Sequence, residues 1–184
     1  SMSDTSICND LVAFFDSHQS AQHAGLTGDG VRRDSVKNST DISIAPSDLE
    51  QREFRDVAAY VGHLKLCYAD YLEQWEFLKS FLPTVHIGPF NIQKYDQGGH
   101  FASLHSERTT LGTLHRMHAW MTYLNDVPDG GETEFPMLGL KISPEKGKTL
   151  IWPAEWTHAH LGAVVKSGTK YIITGWMHFP IKKT

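Results

Sequence analysis

The hydrophobic period of the chain changes near residue 84. Before it, apolar residues recur at three- and four-residue steps, the signature of one helix face. Leu11, Val12, Phe14 and Phe15 form a short amphipathic block between Asp4 and His18. Val57, Tyr60, Val61, Leu64, Tyr68, Tyr71, Leu72 and Trp75 keep the same spacing over a longer stretch, and Pro83 ends it. Ser47, with Glu50 three residues on, predicts a capping box that opens this second helical stretch. Residues 20–46 between the two blocks are rich in Gly, Ser, Asp and Thr. They read as loop with one short strand around Ile42 to Ile44.

After Pro83 the pattern becomes one of strands and turns. Phe90 to Tyr95 alternates apolar with polar, and Trp120 to Leu124, Gly147 to Trp152 and Lys170 to Phe179 read as further strands. Gly98-Gly99 is a turn, and Asn125 to Gly131 collects Asn, Asp, Pro and two glycines. Short strands with regular turn signals predict a β sandwich or barrel, and helices first with strands later predict a helix layer on one side of it. The expected class is α+β, mainly β. One domain is expected over residues 1–184, with 1–83 as helical support and loop and 84–184 as the β core that carries the site.

Composition narrows the function classes. The 184 residues, 40% of them hydrophobic, suit a single core. A net charge of −4 with no long basic run argues against a nucleic-acid partner; only the Lys182-Lys183 tail is locally basic. No apolar run approaches the roughly 18 residues that spanning a bilayer needs. No basic-then-apolar leader pattern opens the sequence. The expectation is a soluble, cytoplasmic protein without a membrane partner, with Cys8 and Cys67 as free thiols.

Eleven histidines raise the question of which stand in a meaningful spacing. In His105-Ser106-Glu107, strand geometry would put an imidazole and a carboxylate on one face. Alone, that triplet is more often a polar strand face. His160, on the later segment Trp156 to His160, supplies a second imidazole. Two imidazoles and a carboxylate form the facial triad that holds non-haem iron(II) with positions left open for co-substrate and O2. A closed four-ligand site would be structural instead. Ten residues on, Lys170 opens the last strand. Facing inward it would need a negative partner, which the far carboxylate of a dicarboxylic acid would provide; facing outward it is an ordinary strand lysine.

From Tyr95 to Phe179 the sequence resembles the prolyl 4-hydroxylase-like branch of the 2-oxoglutarate/Fe(II) dioxygenases. The resemblance is carried by Tyr95 to Phe101 followed by His105-Ser106-Glu107, by Thr122 to Pro136, by Ile142 to Leu150, and by His160-Leu161-Gly162 leading to Gly168-Thr169-Lys170. It implies a double-stranded β-helix, or jelly roll, with the N-terminal helices packed on one sheet. It implies that His105, Glu107 and His160 ligate iron, that Lys170 pairs with the far carboxylate of 2-oxoglutarate, and that Tyr95 can hydrogen-bond to it. The run Tyr123 to Asp126 and the Gly130-Gly131 turn take architectural roles. Glu107 stands where the family usually has aspartate, which adds a methylene and argues against halogenation, since the resembling halogenases lack a carboxylate there.

His158 and His160 share a face if their segment is extended, and the spacing to Gly168 and Lys170 selects His160. His158 is left as a neighbour of the site or an exposed residue. His100, His115, His118 and His178 are expected as non-ligands; His118 and Trp176 lie on strands that could line the pocket, with core packing as the expected role. The resemblance implies hydroxylation of a prolyl residue in a protein or peptide, with ascorbate as assay reductant. The alternatives are a free amino acid or small metabolite as substrate, or a non-catalytic metal-binding jelly-roll module. The stretch Gly28 to Ser43, with Arg32 and Arg33, reads either as a flap over the site or as an ordinary polar loop.

Overall fold

The computed structural model describes residues 5–28 and 30–180; Asp4 and the Lys182-Lys183 tail lie outside them. The helices are α1 (Ser6–Ser17), α2 (Arg55–Glu73) and α3 (Glu76–Phe81). Strands β1 (His23–Ala24), β2 (Lys37–Asn38) and β3 (Thr40–Ile44) lie between α1 and α2. After α3 come β4 (His86–Ile87), β5 (Phe90–Tyr95), β6 (His100–His105), β7 (Arg116–Tyr123), β8 (Asp129–Gly130) and β9 (Thr133–Phe135). The chain then forms β10 (Leu140–Ile142), β11 (Thr149–Pro153), β12 (His160–Gly162), β13 (Val165–Ser167) and β14 (Lys170–His178).

Strand alternation explains how these elements stack. The larger sheet runs β1-β3-β5-β14-β7-β11, with β4 also on β14, and the smaller runs β10-β9-β12-β6-β2. On the larger sheet Ile42, Ile44, Phe90, Ile92, Trp120, Ile173 and Met177 join one apolar cluster with Leu11 and Phe15 of α1 and Val57, Tyr60, Val61 and Leu64 of α2. The opposite faces of the same strands supply Tyr95, Met121, Tyr123, Trp152 and Ile172 to a second cluster, which Phe135 of the smaller sheet completes. The larger sheet is therefore apolar on both faces, with one core under the helices and one between the sheets. This is a mainly β, jelly-roll type arrangement. Tyr60 of α2 meets Thr122 of β7 at 2.7 Å, and Thr122 meets Thr149 of β11 at 2.8 Å, so the buried hydroxyls between helix and sheet are satisfied.

The end of β7 explains the Tyr123 to Asp126 run. The Tyr123 hydroxyl lies 2.6 Å from that of Thr133. The Asn125 side chain accepts from the Tyr171 amide at 2.7 Å and donates to the Thr169 carbonyl at 2.7 Å, pinning the start of β14. The Lys146 amide donates to Asp126 at 2.8 Å.

Three sequence expectations change. The Ser47–Glu50 box does not open a helix: Pro46–Glu50 and Arg52–Phe54 are 3-10 turns, and α2 begins at Arg55. The cap is Asp48, whose carboxylate accepts from the Ala45 amide at 2.8 Å. The long helical stretch also breaks at Glu73, before α3 and Pro83. Finally, residues 20–46 hold three strands, and the stretch from Gly28 to Ser43 enters the sheets at Lys37. The strand expected around Ile42 to Ile44 is β3, and polarity hid β2 and the start of β3. Lys37 and Asp41 are 4% and 2% exposed, and their ammonium and carboxylate meet at 2.5 Å. Ser39 donates to Asp41 at 2.7 Å and Gln93 at 3.3 Å. Cys8 and Cys67 are free thiols.

Removing one partner of a buried ion pair leaves the other charge uncompensated. Asp41→Asn is therefore expected to cost about 3–5 kcal/mol in urea unfolding, while the double variant Lys37→Met/Asp41→Leu loses far less. Equal losses for the single and double variants would contradict the pairing account.

Candidate metal centre

Cross-strand pairing brings the two histidines together. His105 is the last residue of β6, His160 is the first of β12, and the two are register partners. Their ring centroids lie 4.4 Å apart. Glu107 reaches them in a different way from the one its spacing suggested. The strand ends at His105, and Glu107 sits in the bend beyond it. Its Oε1 nevertheless lies 3.2 Å from His160 Nε2 and 3.7 Å from His105 Nε2. One donor atom from each residue falls within 4.8 Å of the others, and no other His, Cys, Asp or Glu trio among the described residues gathers so closely.

The hydrogen bonds behind the rings assign their protons. His105 Nδ1 lies 2.8 Å from the Ser103 carbonyl and His160 Nδ1 lies 3.0 Å from that of His158. A carbonyl only accepts, so each Nδ1 carries its hydrogen and each Nε2 turns a lone pair toward Glu107. Burial raises the Glu107 carboxyl, but His160, His105 and the Trp176 indole outweigh it and hold the pKa at about 2. Burial and the neighbouring His160 lower the His105 pKa. A carboxylate facing His160 Nε2 at 3.2 Å needs either a second proton on that ring or a cation between them. The donor set of two neutral imidazole nitrogens and one carboxylate oxygen fits iron(II).

Aromatic rings wall the trio. Phe101 stacks on His105 at 4.0 Å, and Phe135 and Trp152 pack on His160 at 5.4 and 4.9 Å. Trp176 donates its indole N–H to Glu107 Oε2 at 2.7 Å. The Arg116 guanidinium lies 3.6 Å from the centre of the Trp176 ring and donates to the Glu107 main-chain carbonyl at 3.0 Å. Core packing was the expectation for Trp176. Its six-residue offset from Lys170 put both on one strand face, a signal present in the sequence. Arg116 carried no comparable signal.

The remaining histidines separate from the trio. Trp156–His158 is a 3-10 turn, so His158 and His160 do not share a strand face. The His158 ring meets Thr157 at 3.0 Å, and its main-chain carbonyl orients His160. His118 packs beside Tyr68 and Tyr71. His115 and His178 pack on each other at 4.4 Å, and His100 bonds to the Gly98 carbonyl.

Lys170 faces inward. It is 3% exposed and pairs across the sheet with Tyr95, whose ring centre lies 4.5 Å from Nζ. The ammonium donates to the Gly131 carbonyl at 3.0 Å, and among the described residues no carboxylate forms an ion pair with it. Burial lowers its pKa to about 8, against a smaller opposing pull from Glu132. Gly130 and Gly131 have φ of +80° and +74°, the left-handed region that brings this carbonyl round to the lysine. A Cβ on Gly162 would stand 3.9 Å from Nζ. Gly162 follows His160 by two residues on β12, roughly 7 Å along the strand. The Tyr95 hydroxyl donates to Gln93 at 2.7 Å, so in this state its proton is committed and its ring faces the lysine.

His160 contributes a ring nitrogen and His158 only a main-chain oxygen. In Mn(II) titrations by calorimetry, His160→Ala is expected to abolish binding, while His158→Ala stays within about 10-fold of the parent chain. Equal losses would contradict the choice of His160.

The family model described as the 2OG-Fe(II) oxygenase superfamily matches residues 90–178, which contain Tyr95, the trio and Lys170. The human prolyl 4-hydroxylase subunit alpha-1 is 32% identical over 75 residues, covering 37% of this chain and 14% of that subunit. The chain thus spans about a seventh of that relative's length. A viral collagen prolyl hydroxylase from Paramecium Bursaria Chlorella virus-1, solved as a 2OG complex, superposes with a TM-score of 0.65 at 19% identity, over 96% of this chain and 92% of that one. A Trichoplax adhaerens prolyl hydroxylase, solved with a hypoxia inducible factor peptide fragment, gives 0.71 at 16% identity, over 95% and 79%. The family model spans the site over residues 90–178, just under half of the chain, and the fold agrees with both structures over nearly the whole chain; together these matches support a 2-oxoglutarate/Fe(II) oxygenase, prolyl hydroxylase-like.

Proposed function

We propose that the chain is an Fe(II)- and 2-oxoglutarate-dependent dioxygenase, acting as one domain over residues 1–184, that hydroxylates a prolyl residue in a protein or peptide. The observation that carries this is the pairing of an open three-donor site with a buried lysine whose positive charge has no carboxylate partner among the described residues. His105, Glu107 and His160 would hold the iron. Lys170 would take the far carboxylate of 2-oxoglutarate, with Tyr95 beside it.

Iron(II) bound there supplies the coupling of O2 activation to decarboxylation of 2-oxoglutarate, giving succinate, CO2 and one oxygen atom for a substrate C–H bond. The protein's own part is placement and exclusion of water. The carbonyls of Ser103 and His158 fix the two imidazoles. Phe101, Phe135 and Trp152 keep the surroundings apolar. Lys170 orients the dicarboxylate by charge, and Gly131 and Gly162 leave room for its far end. Ascorbate serves as a reductant in assay.

A polypeptide substrate is favoured by the similarity to prolyl hydroxylases, one of them solved with a peptide fragment, and by the exposed apolar side chains on the segments flanking the trio. Arg108 pairs with Glu155, tying the loop after Glu107 to the turn before His160. Those segments leave Leu111, Leu114 and Trp156 exposed.

The test is turnover with Fe(II), 2-oxoglutarate and ascorbate over a panel of proline-containing peptides and free amino acids. The expected result is succinate together with a gain of one oxygen atom in a peptide. Oxidation of a free amino acid alone would assign a metabolite substrate, and absence of succinate throughout would leave a binding module. Lys170→Met is expected to raise the 2-oxoglutarate requirement by roughly 10-fold or more, from the loss of charge-assisted bonds. Lys170 is cationic below about pH 8 in the free chain, so affinity for 2-oxoglutarate is present below that value and weakens as pH rises through it. In Lys170→Met that pH dependence disappears.

A further inference from the structure

We infer that Trp176, steadied by Arg116, is a positioning residue that holds Glu107 as a one-oxygen metal ligand. This rests on the reading of His105, Glu107 and His160 as a metal site. The need arises from the length of the glutamate. Its extra methylene, compared with aspartate, gives the carboxylate another rotatable bond and lets both oxygens swing onto one ion. A carboxylate that binds through both oxygens occupies two positions. Six positions less two imidazoles and a two-oxygen carboxylate leave two, and a chelating dicarboxylate fills both, with none for O2.

The geometry around Glu107 removes that option. Oε1 points at the two imidazoles, 3.2 and 3.7 Å from their Nε2 atoms. Oε2 points away and accepts the Trp176 indole N–H at 2.7 Å, the length of a charge-assisted bond. An indole nitrogen only donates, so Oε2 is the acceptor in this contact, and the ring has no other polar atom. Arg116 acts on both partners. Its guanidinium covers the indole at 3.6 Å, and its Nη1 donates to the main-chain carbonyl of Glu107 at 3.0 Å. The same nitrogen lies 3.9 Å from Oε2, near enough to add charge but too far for a hydrogen bond. Trp176 lies on β14, which is paired on one side with β5 and on the other with β7, so the donor is mounted on the middle of the larger sheet.

Packing alone would give Trp176 the same burial, so the test keeps an aromatic side chain there and removes the N–H. The full chain and its Trp176→Phe variant are titrated with Mn(II) and then loaded with Co(II) for visible absorption, with circular dichroism to check folding. Trp176→Phe is expected to weaken Mn(II) binding by about 10- to 100-fold, the usual loss for a hydrogen bond to a metal ligand. Its Co(II) bands are expected to shift and weaken, as they do when coordination number rises. In the Glu107→Asp background, where the shorter carboxylate does not span from the imidazoles to the indole, Trp176→Phe should change affinity by less than about 3-fold. If Trp176→Phe fails to fold, Arg116→Gln is the second variant; it leaves the indole in place but unsteadied, and a shift of the Co(II) bands in the same direction is expected. Unchanged Mn(II) affinity and Co(II) spectrum in the variant overturn the positioning role while the metal site stands. A parent chain that binds neither ion overturns the metal reading and this inference with it.

Discussion

A carboxylate buried against two imidazole nitrogens is costly unless a proton or a cation lies between them. Glu107 is in that position, and much of the surrounding structure serves to keep it ionised and aimed. The main-chain carbonyls of Ser103 and His158 claim the Nδ1 hydrogens, which turns both Nε2 lone pairs inward. The Trp176 indole satisfies the oxygen that faces away. Phe101, Phe135 and Trp152 close the sides, so that local charges act at short range in a low-dielectric setting. The same arrangement is what a divalent ion needs.

The second dependency is the two-faced larger sheet. One set of alternate side chains is spent on the helices, with Ile173, Met177 and Trp120 under α1 and α2. The other set is free to carry chemistry, and β14 alone contributes Lys170 at one end and Trp176 toward the other. Cross-strand register does the rest. Lys170 meets Tyr95 because β14 and β5 are paired there, and His160 meets His105 because β12 lies on β6. Residues distant in sequence thus reach one chamber through hydrogen-bonded ladders and not through flexible loops, which suits a site whose geometry must be held closely.

Much of this was legible in the sequence, and what was not has physical reasons. Phe90 to Tyr95 was legible as a strand because Phe90 and Ile92 pack under the helices while Tyr95 falls on the opposite face in the second core, and the strand has those bounds. The turn after Asp129 was readable because only glycine takes two successive left-handed positions without strain. The strand at Lys37 and the first residues of β3, Thr40 and Asp41, were not, since a buried ion pair imitates a polar loop in any hydropathy pattern. Glu107 was selected on the idea of a shared strand face, yet it meets His105 from a bend beyond the strand end. Trp176 was read as packing because an aromatic residue on a strand gives no sign that its N–H has an acceptor. Arg116 acts through stacking and a main-chain contact, neither of which leaves a spacing to detect.

The account as a whole stands on where an ion and a dicarboxylate settle. Diffraction from crystals loaded with Fe(II) and 2-oxoglutarate without O2, recorded at the iron edge, measures this directly. The account predicts a single iron bound through Nε2 of His105, Nε2 of His160 and one oxygen of Glu107 at about 2.0–2.2 Å, with the far carboxylate of 2-oxoglutarate on Lys170 Nζ. An iron bound elsewhere, or a dicarboxylate that leaves Lys170 without a partner, would contradict it.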